Sequence, residues 1–349
     1  MIHCDFKRVT EKWKEYWARE NHDRPLVCAI APKDNADWSG RPTAPEKVID
    51  RWFDMEYVIR SNRYNFERSA FYGEAFPTFY CNLGPDILGA ICGCEIEFGE
   101  DTSWAVHNVT DWETLPDICF DENNKWWKKI EEMTKIVCAD AKDDYVVGIT
   151  DLHPGTDALV SLRGPEELCF DTIERPELLK KFDKQIFEVH KIVYERLYAE
   201  ISKLGNGSSY WMGQWSDKRH YVVGSDFSCM LSPQAYEELV APGIEREIGF
   251  FDQSIYHLDG PQALRHLDRI LKFDKLNAVQ WVYGAGQPSP KHWIEVLKKI
   301  QDAGKCIDIS GPAEDLIEIM KYIQPEGMLY HCWCNNEEEA KALLKAVTR

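Results

Sequence analysis

Nothing in the 349-residue sequence approaches a run of about 18 consecutive apolar residues, the length that a membrane-spanning helix requires. The first 24 residues, Met1 to Arg24, are charged throughout and hold no apolar stretch of the kind a secretory leader carries. Both absences lead to the expectation of a cytoplasmic protein. Cations are scarce beside acids: 41 Lys and Arg stand against 59 Asp and Glu, for a formal net charge of −18. A surface of that sign repels phosphate backbones and anionic bilayers, which excludes nucleic acid and membrane as partners. No GxGxxG follows a strand-like run, and there is no P-loop, so a nucleotide site has no support. Repeats, low-complexity tracts and linkers are also missing. The chain therefore reads as one domain over residues 1–349, with 1–24 as a helical extension.

What the sequence does hold is apolar and aromatic mass. Hydrophobic residues make up 44% of it, with 13 tryptophans and 12 cysteines, enough for a large core. In a reduced compartment the cysteines read as free thiols or metal ligands rather than disulfides, and Cys28, Cys92, Cys138 and Cys169 sit in apolar surroundings that suit small core residues. Val9 to Asn21 has helical spacing, with Trp13 and Trp17 on one face. Exposed, that aromatic face could pair two subunits.

After a short apolar run at Leu26–Ile30, a helical stretch from Arg51 to Arg68 and an irregular Gly- and Pro-rich segment, strand-like and helix-like runs alternate. Strands are expected at Tyr145–Thr150, Ser209–Gly213, Ser254–Leu258, Asn277–Val282, Cys306–Ser310 and Met328–Trp333. Leu26–Ile30 and a weaker segment near Thr78–Cys81 bring the number to eight. This pattern predicts an α/β fold, a (β/α)8 TIM barrel with parallel strands inside and helices outside. Cys94–Phe98 alternates and predicts a β-hairpin insertion near the barrel mouth.

Function in such a fold collects just after each strand. Two strand ends carry paired candidates: His257 with Asp259, and Cys332 with Cys334. Side chains at i and i+2 of a strand point the same way, so each pair offers two ligands to one point. Imidazole, carboxylate and thiolate suit Zn2+. Each residue also has a plain reading: a buried histidine, a helix N-cap at Asp259, two core thiols. His331 points opposite to Cys332 and reads as structural. Asp226, or Asp151 with His153, could donate a proton or orient a substrate. Trp211, Trp215, Trp281 and Tyr283 could form an aromatic wall for a methoxylated ring or a quaternary ammonium, or simply pack the barrel.

Several stretches carry a family likeness. Gly84–Pro85 with Leu88–Gly89–Ala90, then Ser225–Asp226–Phe227 with Met230–Leu231–Ser232–Pro233, then Tyr256–Gly260 and Tyr330–Cys332, resemble blocks of the uroporphyrinogen decarboxylase superfamily. The likeness runs from about Leu83 to the end of the sequence. Within that superfamily the chain is most similar to the zinc- and corrinoid-dependent methyltransferases. The resemblance implies a zinc held by His257 and Cys332, with Asp259 standing where a cysteine is usual and Cys334 as an additional candidate. It implies methyl transfer from a small methylated substrate, an aryl methyl ether or a methylamine, to the cobalt of a cobalamin-type corrinoid on a separate corrinoid protein, as in the methyltransferase component of an O-demethylase. Aspartate at position 259 leaves a harder metal and leans toward an oxygen leaving group. The arginine-rich N-terminal motif of the decarboxylase branch is absent. A metal-free decarboxylase and a non-catalytic binding barrel are the alternatives.

Overall fold

The computed structural model describes residues 5–348. Twelve strands occur among them: β1 (Leu26–Pro32), β2 (Ser69–Gly73), β3 (Thr78–Tyr80), β4 (Glu95–Phe98), β5 (Ser103–Val106), β6 (Val146–Ile149), β7 (Ser209–Tyr210), β8 (His220–Gly224), β9 (Gln253–Asp259), β10 (Ala278–Val282), β11 (Cys306–Ser310) and β12 (Met328–Trp333). One sheet has the order β2-β1-β12-β11-β10-β9-β8, and only β2 runs antiparallel to its neighbour. A second sheet, β3-β6-β7, is also parallel. β4 and β5 form the expected hairpin. No helix among the described residues is long and apolar enough to cross a membrane.

Strands of both sheets contribute to one buried cluster. Leu26 and Cys28 of β1, Val146 of β6, and Ile255, Ala278, Cys306 and Leu329 of β9 to β12 pack into a single cluster. Helix α1 (Phe6–Ala18) floors that cluster with Val9, Trp13, Tyr16 and Trp17. Asp5 caps it, accepting from Arg8 N. Trp13 donates to Glu74 O at 3.2 Å and Trp17 to Trp215 O at 2.9 Å. The expectation that this aromatic face pairs two subunits is thereby corrected, because the chain buries it against its own strands.

The backbone ladders do not join into a closed ring among the described residues. β8 has no ladder to β7, and β2 has none to β3. Polar side chains bridge the first seam and brace β1 beside the second. Tyr221 of β8 donates its hydroxyl to Thr150 O and accepts from Leu152 N at 2.7 Å, just past β6. Glu74, wholly buried, accepts from Val27 N at 3.1 Å and from Arg24 at 2.6 and 2.8 Å. A paired and fully hydrogen-bonded carboxylate is the form in which a charge can be buried there.

Two elements differ from the sequence expectation. The strand expected at Ser209–Gly213 stops after two residues, and Gly213 turns the chain with φ +80°. A strand not among the eight expected, β8, follows it, so Ser225–Ser228 lies directly beyond a strand end. The helical stretch that begins at Pro233 contains a π turn at Tyr236–Val240 before it continues as Ala241–Phe250. Pro242 lacks the N–H that regular helical bonding would use there.

The floor carries a testable consequence. Trp13→Ala is expected to cost about 3–5 kcal/mol, read as a lower midpoint in urea unfolding; a loss under about 1 kcal/mol would show that α1 is dispensable to the interior.

Candidate active site

Period-two alternation decides which side chains reach the interior. Along β9, Ile255, His257 and Asp259 share the inner side. Ile255 is buried, His257 is partly open and Asp259 is exposed, while Tyr256 and Leu258 on the outer side stay buried. The interior therefore opens at the carboxyl ends of the strands.

His257 is held from both sides. In register with it lie Gly224 of β8 and Gln280 of β10. A Cβ at Gly224 would stand 3.0 Å from the His257 carbonyl oxygen, so glycine there lets the two strands close. Gln280 Oε1 lies 2.6 Å from His257 Nδ1. A carboxamide oxygen only accepts, so Nδ1 carries the hydrogen and Nε2 keeps its lone pair. Nε2 faces Asp226 Oδ1 at 3.8 Å.

Asp226 starts a 3-10 turn, Asp226–Met230, which Ser225 caps by accepting from Ser228 N at 3.1 Å. Asp157 fixes that turn from below, accepting from the backbone of Asp226 and Phe227 at 3.0 Å each. One ligand atom from each of Asp226, His257 and Asp259 lies within 4.8 Å of the other two. Donors bound to one tetrahedral zinc stand about 3.3 Å apart, from bonds of about 2.0–2.2 Å. Small rotations of two carboxylates close that difference, and the donor set leaves a coordination position for a substrate.

A second group adjoins the first. His153 Nε2 lies 2.7 Å from Asp151 Oδ1, and its Nδ1 lies 3.8 Å from Asp157 Oδ2. Burial alone would depress the imidazole, but the charges of Asp151 and Asp157 outweigh it and hold His153 protonated, well above its ordinary value. Surrounding protein and the Asp157 charge push the Asp226 carboxyl upward. Because 53% of that side chain still meets solvent, screening limits the push. Trp211 stands between the two imidazoles, its ring centroid 5.8 Å from His153 and 5.4 Å from His257.

The remaining sequence candidates fall elsewhere. Trp215 is buried in the floor cluster and donates to Asn206 O at 2.8 Å. Trp281 faces outward, buried against Trp293 at 5.1 Å. Tyr283 has the same outward parity and packs against the outer core. Cys332 and Cys334 do share a side, with their sulfurs 3.6 Å apart, but it is the outer side, buried in the core beneath the helices. The proposed ligand set of His257, Asp259, Cys332 and Cys334 is therefore not assembled. Asp226, from the turn after β8, joins His257 and Asp259 instead.

His331, read from sequence as structural, faces the interior. It lines a cavity of about 310 Å3 with Trp211, Gln280, Ser310 and Trp333. A larger cavity of about 570 Å3, lined in part by Arg51, Trp52 and Asn62, shares the lining residue Thr78 with it. Behind His331 lies Asp308, with 0% exposure, which accepts from Gln214. Burial pushes the Asp308 carboxyl up to about 7, a rise the Gln214 bond only partly offsets. Burial pushes His331 down to about 4. Sequence reasoning passed over Asp157, Gln280 and Asp308. A charged residue inside the apolar run Cys306–Ser310 was the available signal for Asp308; Gln280 required applying the strand period to its tryptophan neighbour.

No family model matches the chain, and no curated protein matches it in sequence. Its fold is similar to that of a methyltransferase from Methanosarcina mazei, with a TM-score of 0.63 and 14% identity, over 97% of this chain and 97% of that one. At that identity the likeness extends to the fold alone.

Asp308 gives the site a measurable signature. Below about pH 4 its carboxyl is protonated in both folded and unfolded chains. From there to about 7 the folded chain keeps a proton that the unfolded chain has released, so stability falls as pH rises and the loss levels off above 7. Asp308→Asn cannot ionise. Relative to wild type it should gain on the order of a few kcal/mol between pH 4 and pH 8 in denaturant titrations; identical pH profiles for the two proteins would refute the buried carboxyl.

Proposed function

We propose that this chain is a zinc-dependent methyltransferase that moves a methyl group from a small methylated substrate to a corrinoid carried on a separate protein. We read the two ladders as the wall of one barrel of the (β/α)8 type, in which the two-residue β7 is an extra strand that no helix separates from β8. The observation that carries the proposal is the convergence of Asp226, His257 and Asp259 at adjoining strand ends. The fold shared with a methyltransferase favours the same reaction class. Sequence likeness to the corrinoid-linked branch supports the acceptor.

The donor set fits the ion. Asp226 and Asp259 supply two carboxylate oxygens and His257 supplies Nε2, whose lone pair is kept free by the Gln280 bond. A zinc ion there would supply Lewis-acid stabilisation of the substrate's heteroatom. Compared with the thiolates expected from sequence, these harder ligands suit an ether oxygen better than a thiol.

The chain's own residues account for the rest. Trp211 offers an apolar face beside His257, which can position a methyl group and keep water from it. His153 holds a proton between Asp151 and Asp157. As the O–CH3 bond breaks, its electron pair stays on oxygen, the methyl carbon passes to the acceptor's electron pair, and the oxygen takes the proton from His153. A metal-free decarboxylase is the weaker reading. It needs cations to hold its acid, and no lysine or arginine among the described residues lines the interior cavity.

Elemental analysis of purified protein, dialysed against zinc, tests this. Wild type is expected to hold about one zinc per chain. Asp226→Asn, His257→Ala and Asp259→Asn should each lose it, whereas Cys332→Ala and Cys334→Ala should keep it. Gln280→Leu should weaken zinc binding about 10- to 100-fold. No uptake by wild type sinks the proposal, and zinc lost only in the cysteine variants sinks the ligand set.

A further inference from the structure

The interior cavity lies beneath the Asp226–His257–Asp259 group and connects to it through two residues. Gln280 lines the cavity and holds His257 Nδ1. Trp211 lines it too and meets the His257 ring edge-on, at an interplanar angle of 76°. A ring stacked on Trp211 would thus present a substituent to the group above. Phe76 and Trp333 complete aromatic walls suited to such a ring. At about 310 Å3 the cavity lies at the small end of ligand pockets, with room for one substituted ring.

Charge and hydrogen bonding narrow the ring's chemistry. No aspartate, glutamate, lysine or arginine among the described residues lines the cavity. A ligand charge of either sign would meet no counter-ion among these lining residues, which is unfavourable. Polar groups without partners are nevertheless present. Trp211 Nε1 and His331 Nε2 are buried and make no hydrogen bond. His331 Nε2 stands 3.4 Å from Asp308 Oδ1 behind it, a charge contact without hydrogen-bond geometry. Indole N–H can only donate, whereas a hydroxyl accepts and donates at once. An uncharged hydroxyl on the bound ring answers both requirements.

We propose that this cavity is the substrate's ring pocket and that it selects uncharged methoxyphenols over ring carboxylates and quaternary amines. For the fate of the methyl group the inference rests on the methyl-transfer reading, but ring binding itself needs neither metal nor acceptor.

Isothermal titration calorimetry of the full-length, metal-free protein separates the possibilities, with 2-methoxyphenol, methoxybenzene, methoxybenzoate and tetramethylammonium as probes. The methoxyphenol is expected to bind at least about tenfold tighter than each of the others, a margin of about 1.4 kcal/mol. His331→Ala should bring its affinity down to that of methoxybenzene while leaving methoxybenzene within about twofold. His331→Asn, which keeps a polar tip and fills more of the space, should retain part of the preference; circular dichroism checks that both variants fold. Methoxybenzoate or tetramethylammonium binding as tightly as the methoxyphenol overturns the proposal. So does a preference that survives in both variants. Absence of zinc with this preference intact removes the methyl-transfer reading and leaves the ring pocket standing. Zinc-dependent demethylation of an amine without ring binding does the reverse.

Discussion

A side chain on one of these parallel strands faces either the shared inner cluster or the helices outside, and the next residue along faces the other way. The composition of the site follows from that constraint. His257 and Asp259 share the inner side of β9, Gln280 the inner side of β10, Asp308 and Ser310 that of β11, and His331 that of β12. Cys332 cannot join them while His331 does. A one-residue shift of β12 would exchange the two, but it would also expel Leu329 from the floor cluster and bring Met328 and Tyr330 inside. The thiols are kept out by the register of the whole strand rather than by any local feature.

Within that frame, few contacts do the positioning. Asp157 is the busiest: it ties down the turn that carries Asp226 and also faces His153. Asp151, Asp157, Asp226 and Asp259 place four carboxyls around two imidazoles. So many acids in one mouth repel one another, and His153 is the cation that offsets them within the chain. An added divalent cation would relieve the remaining repulsion, which is a physical reason for the mouth to attract one. The cavity below is the opposite environment: no carboxylate or ammonium group among the described residues lines it, Asp308 being set back behind His331, and aromatic rings wall it. The boundary between the two runs through Trp211.

Much of this arrangement was legible before any coordinates. Alternating strand and helix patterns gave the parallel sheets, and the strand-end rule drew attention to Asp151, His153, Asp226, His257 and Asp259, which do meet. Pairing at i and i+2 was applied correctly to Cys332 and Cys334, yet spacing says only that two residues share a side. It does not say which side. That depends on the register of neighbouring strands and on which face the helices cover. Trp281 and Tyr283 were favoured for their rings when their parity, opposite to Gln280, sends them outward. β8 was missed because its apolar run, Tyr221–Val223, is only three residues long and sits close behind Lys218 and Arg219. α1 looked like an appendage because its aromatic partners come from strands far along the sequence.

Those partners bear on how the protein is made. β1 pairs with β12, and Asn21 donates to the carbonyl of Pro325 across 304 residues at 2.6 Å. Ribosomes add about 5–20 residues per second. The first helix therefore waits roughly 15–60 s for the strand that completes its surroundings. Through that interval Trp13, Tyr16 and Trp17 have no finished interior to enter, and the nascent chain presents an aromatic stripe to whatever is nearby. A helix that seems peripheral in sequence order thus makes the emerging polypeptide a natural client for chaperones until β12 has been made.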